Sequence, residues 1–334
     1  MKEVYPGIYL ITEKFKNMFT EFSVNIYLLA GSDGLIFDGG FGTKNALDFA
    51  VGKIREVRDQ YHRSGKKFAV TRILPSHGHW DHFSGLVGLR RELGMKILLT
   101  EGMTRVIGSK RDYKKSFREA IGVKNADRNV FVKLSSDMFF SAFEELYYSS
   151  LRITPVPDAD EIIPENGSIS INRQRWEIIH APGHCDDHIH LYHRKNGVLL
   201  AGDNILRSIT TWLGPPRSNL EQYMQTLAGM LALPHLKLIL PAHGSPITNP
   251  QKRLSEAIRH REKRTRQVAA LLRRAGTRGM TADAIVKTIY PGQSIFRRFL
   301  TQGWIMLTLQ YLLDKDQIAM CGEKRKRYIN AVGK

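Results

Sequence analysis

The segment His77-Gly78-His79-Trp80-Asp81-His82 constrains this chain more than any other. It places four metal-capable side chains within six residues. The apolar run at 68–74 before it is rich in β formers, and Pro75-Ser76 ends that run. The four side chains therefore project from a loop at the end of a strand. A tight loop can supply donors from both sides of its backbone, which is what a cation needs. Imidazole with carboxylate suits zinc, iron or manganese better than calcium or magnesium. A His-rich surface turn is the bland alternative. It would account for a single histidine, not for three histidines and an aspartate at this spacing.

Three later segments repeat the arrangement. Ala181-Pro182-Gly183-His184 follows an apolar strand at 176–179. Leu199-Leu200-Ala201-Gly202-Asp203 is a short strand ending in a carboxylate, and Leu238-Ile239-Leu240-Pro241-Ala242-His243-Gly244 is another ending in histidine. Each donor sits where a strand stops and a glycine-containing loop begins. In this order the four motifs resemble the metallo-β-lactamase hydrolase superfamily, over residues 1–250. The resemblance implies that His77, His79 and His184 hold one metal. It implies that Asp81, His82 and His243 hold a second, with Asp203 bridging. The cofactors it implies are two divalent metal ions, zinc first, with iron or manganese as alternatives. The chain departs from the family pattern at Ser76, where Thr is usual, and at Ala242, where Gly is common. Neither change removes a ligand. In the family an acidic residue at the position of Asp38 supports the metal loops from behind; an ordinary turn aspartate is an equal reading.

The chain has 334 residues, enough for one large domain and a small one. At 42% hydrophobic content it can bury a core, so global disorder is excluded. Its start does not read as a signal peptide, and no apolar run is long enough to span a bilayer. Two cysteines, Cys185 and Cys321, make no disulfide framework, and a reducing cytoplasm is the expected location. The formal net charge is +18 and is unevenly placed. Residues 251–334 carry 19 Lys and Arg against 6 Asp and Glu. That basic segment points to an anionic partner, in competition with a merely solvated basic face.

Strands are expected at 4–12, 22–29, 34–38, 96–99, 189–192 and 197–201, with a hairpin over 167–179. Helices are expected over 43–61, with Ala46, Phe49, Ala50, Ile54 and Val57 on the buried stripe, and over 85–93 and 219–233. Residues 101–160 break the alternation and read as a mostly helical insert. It contains a basic amphipathic stretch at 104–121 and an aromatic stretch with Met138, Phe139, Phe140, Phe143, Tyr147 and Tyr148. That stretch either packs or lines a pocket, packing being favoured. His188, Cys185, Tyr223 and Asn204 lie near the donors. His188 reads as structural or supporting, Cys185 as a packed small side chain, and Tyr223 and Asn204 as weak substrate contacts.

From 251 the pattern changes to a long basic helix over 251–275, a short one capped by Thr281, a third over 294–313 with Phe296, Phe299, Leu300, Leu307 and Tyr311 inside, and strands at 317–321 and 327–329. The expected fold is therefore α/β, an αββα metallo-β-lactamase sandwich over 1–250 with a helical insert, plus a small C-terminal winged-helix domain over 251–334. This plan is similar to that of β-lactamase-like protein 2 and its bacterial relatives. No β-CASP cap domain is apparent.

The expected chemistry is hydrolysis. Two cations about 3.5–4 Å apart lower the pKa of a bridging water to give hydroxide near neutral pH. Asp81 and Asp203 can also handle the proton of that nucleophile. The first expectation is a small acyl substrate (a thioester, ester or lactone), as the family resemblance implies. The alternative is an endoribonuclease on single-stranded RNA, with nucleic acid held by the basic C-terminal segment. A metal-containing DNA-binding regulator ranks third, because a scaffold need not keep all seven donors. A homodimer through the apolar insert completes the expectations.

Overall fold

Runs of apolar residues that strands can bury on both faces set the architecture. The computed structural model describes residues 1–16, 21–120, 145–146, 148–208, 210–214, 217–292, 295–322 and 326–331. A seven-stranded sheet runs in sequence order: β1 (Lys2–Tyr5), β2 (Ile8–Lys16), β3 (Glu21–Leu29), β4 (Gly34–Phe37), β5 (Val70–Leu74), β6 (Lys96–Thr100) and β7 (Glu161–Ile163). A five-stranded sheet contains β8 (Gly167–Ile171), β9 (Gln174–His180), β10 (Ile189–His193), β11 (Val198–Gly202) and β12 (Leu238–Pro241), in the order β12-β11-β10-β9-β8. The expected strand at 4–12 is in fact two strands, β1 and β2, turning at Gly7.

Four layers follow from side-chain parity. In β11, Val198 and Leu200 join Ile8, Tyr27, Leu29, Ile178 and Leu191 in the core between the sheets, while Leu199 and Ala201 point the other way. There they meet Leu220, Tyr223 and Leu227 of α6 (Leu220–Leu231) and Leu254 and Ala257 of α7 (Pro250–Ala275). A strand buried on both faces must be apolar throughout, and β11 is. On the outer face of the first sheet lie α1 (Lys44–Arg63) and α3 (Leu86–Leu93), with the short α2 (Trp80–Phe83) before α3. Helix α1 buries Ala46, Leu47, Ala50, Val51, Ile54 and Val57. Phe49 is exposed, so the buried stripe runs through Leu47 and Val51 instead.

The segment after β6 begins as two helices, α4 (Glu101–Ile107) and α5 (Lys110–Ala120), broken at Gly108-Ser109. Tyr148 is buried, edge-on to Tyr113, which in turn meets Phe83. For this ring the packing reading holds. Met138, Phe139, Phe140, Phe143 and Tyr147 lie outside the described residues.

Helix α7 belongs to two cores. Its first half packs on the second sheet through Leu254 and Ala257. Its second half contributes Val268 and Leu272 to a separate cluster. That cluster also holds Ile285 and Val286 of α8 (Ala282–Ile289), Trp304, Ile305 and Leu309 of α9 (Ile295–Asp314), and the hairpin residues Ile318 and Tyr328. The hairpin pairs β13 (Ile318–Cys321) with β14 (Arg327–Asn330). Thr281 caps α8 through the Ala284 amide at 3.2 Å. Leu307 packs against the body rather than within this cluster, and the side chains of Phe296, Phe299 and Leu300 lie outside the described ones.

One carboxyl in β2 gives a pH signature to the fold. Glu13 is 1% exposed, accepts the Phe41 amide at 2.8 Å through Oε2, and leaves Oε1 without a partner. Burial pushes it up to about 8, against the Phe41 hydrogen bond. The folded state therefore keeps a proton that the unfolded chain loses near its ordinary value of 4.5. Stability falls as pH rises between those values and levels off above the folded one. Urea unfolding at pH 6 and pH 9 checks this. Glu13→Gln should gain on the parent protein as pH rises, and an equal gap at both pH values would show that Glu13 is already ionised in the fold.

Candidate metal centre

The strand directions bring the donors to one edge. Strands β11 and β12 are parallel, with Gly202 beside Pro241, so Asp203 and His243 leave the sheet side by side. Strand β9 is antiparallel to β10, which is antiparallel to β11, so β9 delivers His184 at that same edge. From the facing sheet, the loop after β5 carries His77 and His79, and α2 carries Asp81 and His82. All seven residues expected from the sequence converge here.

They form two donor groups. His79 Nδ1 lies 2.9 Å from His77 Nε2 and 3.0 Å from His184 Nε2. Asp81 reaches His82 Nε2 at 3.6 Å with Oδ1 and His243 Nε2 at 3.5 Å with Oδ2. The Asp203 carboxylate lies between the groups. Its Oδ2 is 3.6 Å from His184 Nε2 and 3.7 Å from His82 Nε2, and its Oδ1 is 3.2 Å from His243 Nε2. His82 Nε2 and Asp203 Oδ1 are buried and have no hydrogen-bond partner. Burial, then the neighbouring imidazoles, holds His77 well below the usual histidine range, and burial lowers His79 and His184 as well. Three neutral rings thus point nitrogens at one spot. A cation there turns mutual lone-pair repulsion into coordination, so the residues fit a metal ion.

The family model of the Metallo-beta-lactamase superfamily matches residues 19–243. The chain belongs to this superfamily. It is a metallo-hydrolase with a His/Asp cluster able to hold metal. It is similar to Probable metallo-hydrolase YqjP of Bacillus subtilis, 24% identical over 92% of this chain and 93% of the relative. It also resembles Beta-lactamase-like protein 2 homolog of Drosophila melanogaster, 24% identical over 80% of this chain and 74% of that one. A third relative is the Atrochrysone carboxyl ACP thioesterase nsrC of Aspergillus novofumigatus, 23% identical over 84% and 67%. Among solved structures, a metallo-beta-lactamase family protein from Thermus thermophilus has the same fold, with a TM-score of 0.73, 22% identity, and 98% of this chain covered against 100% of that one.

A second layer orients four of the histidines of this metallo-beta-lactamase site, His77, His82, His184 and His243. Asp38 takes the Ser76 amide at 2.7 Å and faces His82 Nδ1 at 3.1 Å, so it supports the metal loop. The Ser76 hydroxyl contacts His77 Nδ1 at 2.9 Å, a bond Thr would also make. His184 Nδ1 meets the Trp212 carbonyl at 2.9 Å, and His243 Nδ1 the Ser23 carbonyl. Asn25 donates to the carbonyls of Pro241 and Gly244 at 2.9 and 2.7 Å, pinning the loop that carries His243. Such outer contacts set ring orientation and tautomer. Gly183 has φ +132°, and a Cβ there would come within 2.3 Å of Tyr223 Cα, so the turn before His184 requires glycine.

Two expectations need revision, those for Asn204 and Tyr223 as substrate contacts. Asn204 is buried and its amide faces Ala181 O, His188 and His190, so it does not face a substrate. The Tyr223 hydroxyl donates to Asn204 O at 2.9 Å, inside the body. His188 is supporting: its Nε2 accepts the Asp203 amide at 3.1 Å. Cys185 is buried, burial pushes its thiol well up, and its sulfur lies within 4.8 Å of donors on His77, His79 and His184. Sequence reading missed Asp187, whose Oδ2 takes the Gly78 amide at 2.9 Å, and it missed the carbonyls of Trp212 and Ser23. No spacing signals these, because each lies far along the chain from the donor it serves.

The second donor group is charged without metal. Burial alone would lower His243, but Asp203 and Asp81 hold it up to about 9. His82 is likewise raised against burial by Asp38, Asp81 and Asp203. Coordination needs neutral imidazole, so metal uptake at neutral pH releases protons, and apparent affinity rises with pH until about 9. Calorimetric titration of metal-free protein with zinc, in buffers of different ionisation enthalpy, checks this. The heat should depend on the buffer, and less so in His243→Ala; a buffer-independent heat would contradict the assignment.

Proposed function

We propose that this chain is a binuclear hydrolase of small acyl compounds, a thioester, ester or lactone. The observation that carries the reading is the Asp203 carboxylate, with one oxygen toward His82 and His184 and the other toward His243. A carboxylate so placed could serve both donor groups. His77, His79 and His184 would hold one, and Asp81, His82 and His243 the other. Zinc is the favoured ion, given the imidazole-rich donors. A bound pair of divalent ions supplies an activated water near neutral pH and a Lewis acid for the substrate oxygen.

The chain's own residues define how substrate would reach the centre. His77 is fully buried, whereas Asp81, Asp203 and His243 keep partial exposure, so approach is from their side. Asp81 is placed to take the proton of the attacking water. Exposed Phe22, next to Ser23, and half-buried Trp80 form an edge-on aromatic pair on one flank. Exposed Trp212 lies 6.4 and 6.5 Å from the rings of His79 and His184 on another. These apolar walls suit an acyl or aryl group better than a phosphodiester backbone. The activity named for the fungal relative, an acyl-carrier thioesterase, agrees with that class.

The competing reading, single-stranded RNA cleavage, rests on the basic residues after 250. One assay separates the two: metal-replete protein offered a thioester, a lactone, an aryl ester and a labelled single-stranded RNA, beside His82→Ala. Acyl cleavage should appear and fall roughly a thousandfold in the variant, the scale of several kcal/mol of metal-derived stabilisation. Cleavage of RNA alone, with binding that weakens steeply as salt rises, would sink the acyl proposal.

A further inference from the structure

A cavity of about 310 Å³ lies between the loop after β11 and the first half of α7. The loop contributes Ser208, Thr210 and Thr211, and Tyr223 of α6 forms the floor. Helix α7 contributes Arg253, Glu256, His260 and Arg261. Positions 253, 260 and 261 share one helical face, so two guanidiniums and an imidazole point the same way.

Arg261 is the unusual member. It is 6% exposed, and its guanidinium sits 5.5 Å over the Tyr223 ring. One nitrogen donates to the Thr211 carbonyl, while Nε is buried without a hydrogen-bond partner. Among the described residues no carboxylate lies in ion-pair range of this charge. A guanidinium buried without a counter-ion is costly, and such a group persists where an anion completes it. Arg253 Nε donates to the Leu206 carbonyl at 2.6 Å, which holds that side chain against the loop. Glu256 opposes the positive charge, but two arginines outweigh one carboxylate. His260 is held below the usual histidine range by burial and by Arg261, Arg264, Arg253 and Lys263, which records the positive field at the mouth.

We infer that this cavity is a binding site for a phosphate group, held by Arg253, His260 and Arg261 with the hydroxyls of Ser208 and Thr210. Forked guanidinium donors match tetrahedral phosphate oxygens, and hydroxyls complete the shell. The cavity also touches the metal centre through its wall. The Thr211 hydroxyl donates to the Asp203 carbonyl at 2.7 Å, and the next residue, Trp212, orients His184. A phosphate at Arg261 therefore braces the loop that positions two donors. Its source is either the phosphorylated tail of the substrate or free phosphate. The first source rests on the acyl-hydrolase proposal; the site itself does not.

The test is NMR of the arginine Nε–H groups in the full chain, titrated with inorganic phosphate against chloride at equal ionic strength. The Arg261 resonance should shift saturably with phosphate only. His260→Glu, at the exposed end of the site, should weaken that binding about tenfold by placing a like charge beside the anion. Arg261→Lys serves for resonance assignment, and Arg253→Met gives a second weakened variant should it not fold. No shift, an equal shift with chloride, or undiminished binding in both His260→Glu and Arg253→Met would overturn the proposal. Turnover then identifies the source. If His260→Glu raises KM for a coenzyme A thioester but not for the same acyl group on N-acetylcysteamine, the substrate tail occupies the site. Equal KM changes, with phosphate still binding, assign it to free phosphate. An enzyme that cleaves neither ester would refute the acyl reading while leaving the titration interpretable.

Discussion

His77, His79 and His184 aim ring nitrogens at one another across 2.9–3.0 Å, in a place that burial keeps neutral. Beside them, two carboxylates face two imidazoles that those carboxylates hold protonated. The first group repels itself without a cation. The second balances its charge with protons that a cation would replace. The rest of the body serves to keep these groups in place. Two sheets present their loops at a common edge, and a dense core between the sheets leaves those loops little room to relax.

Orientation is supplied from outside the ligand set. The Asp38 carboxylate, the Ser76 hydroxyl and the carbonyls of Trp212 and Ser23 each occupy the far nitrogen of a histidine ring. Asp187 and Asn25 hold the loops themselves through backbone amides and carbonyls. Because the far nitrogen of each of these rings is engaged, the direction of its other nitrogen is fixed too. The arrangement of the candidate donors is therefore a property of the fold more than of the motif.

Helix α7 ties this centre to the C-terminal part of the chain. Arg261 reaches from α7 to the Thr211 carbonyl, and Thr211 reaches on to the Asp203 carbonyl. Further along, the same helix packs against Trp304 and the hairpin. Basic residues that composition alone assigns to a solvated face or a nucleic-acid grip thus include one that is buried beside the loop that follows Asp203. The distinction lies in which face of the helix each residue occupies, and a net charge carries no such information.

The seven donors were legible because a loop after a strand has few ways to place HxHxDH, and because PGH, GD and PAHG recur at strand ends. The strands and helices were legible from periodicity, with errors where periodicity is ambiguous: Phe49 stands one position off the stripe that Leu47 and Val51 complete. The inward turn of Asn204 was not legible, since a polar side chain beside Asp203 reads as a substrate contact until its three neighbours are known. Nor was the burial of Arg261. Local sequence dictated the chemistry available, because donor identity and strand-end position are properties of short segments. Packing settled which oxygen of Asp203 faces which histidine, which backbone carbonyls orient the rings, and which arginine loses its water. Those depend on contacts between residues tens to hundreds of positions apart, which no short segment encodes and the folded chain alone brings together.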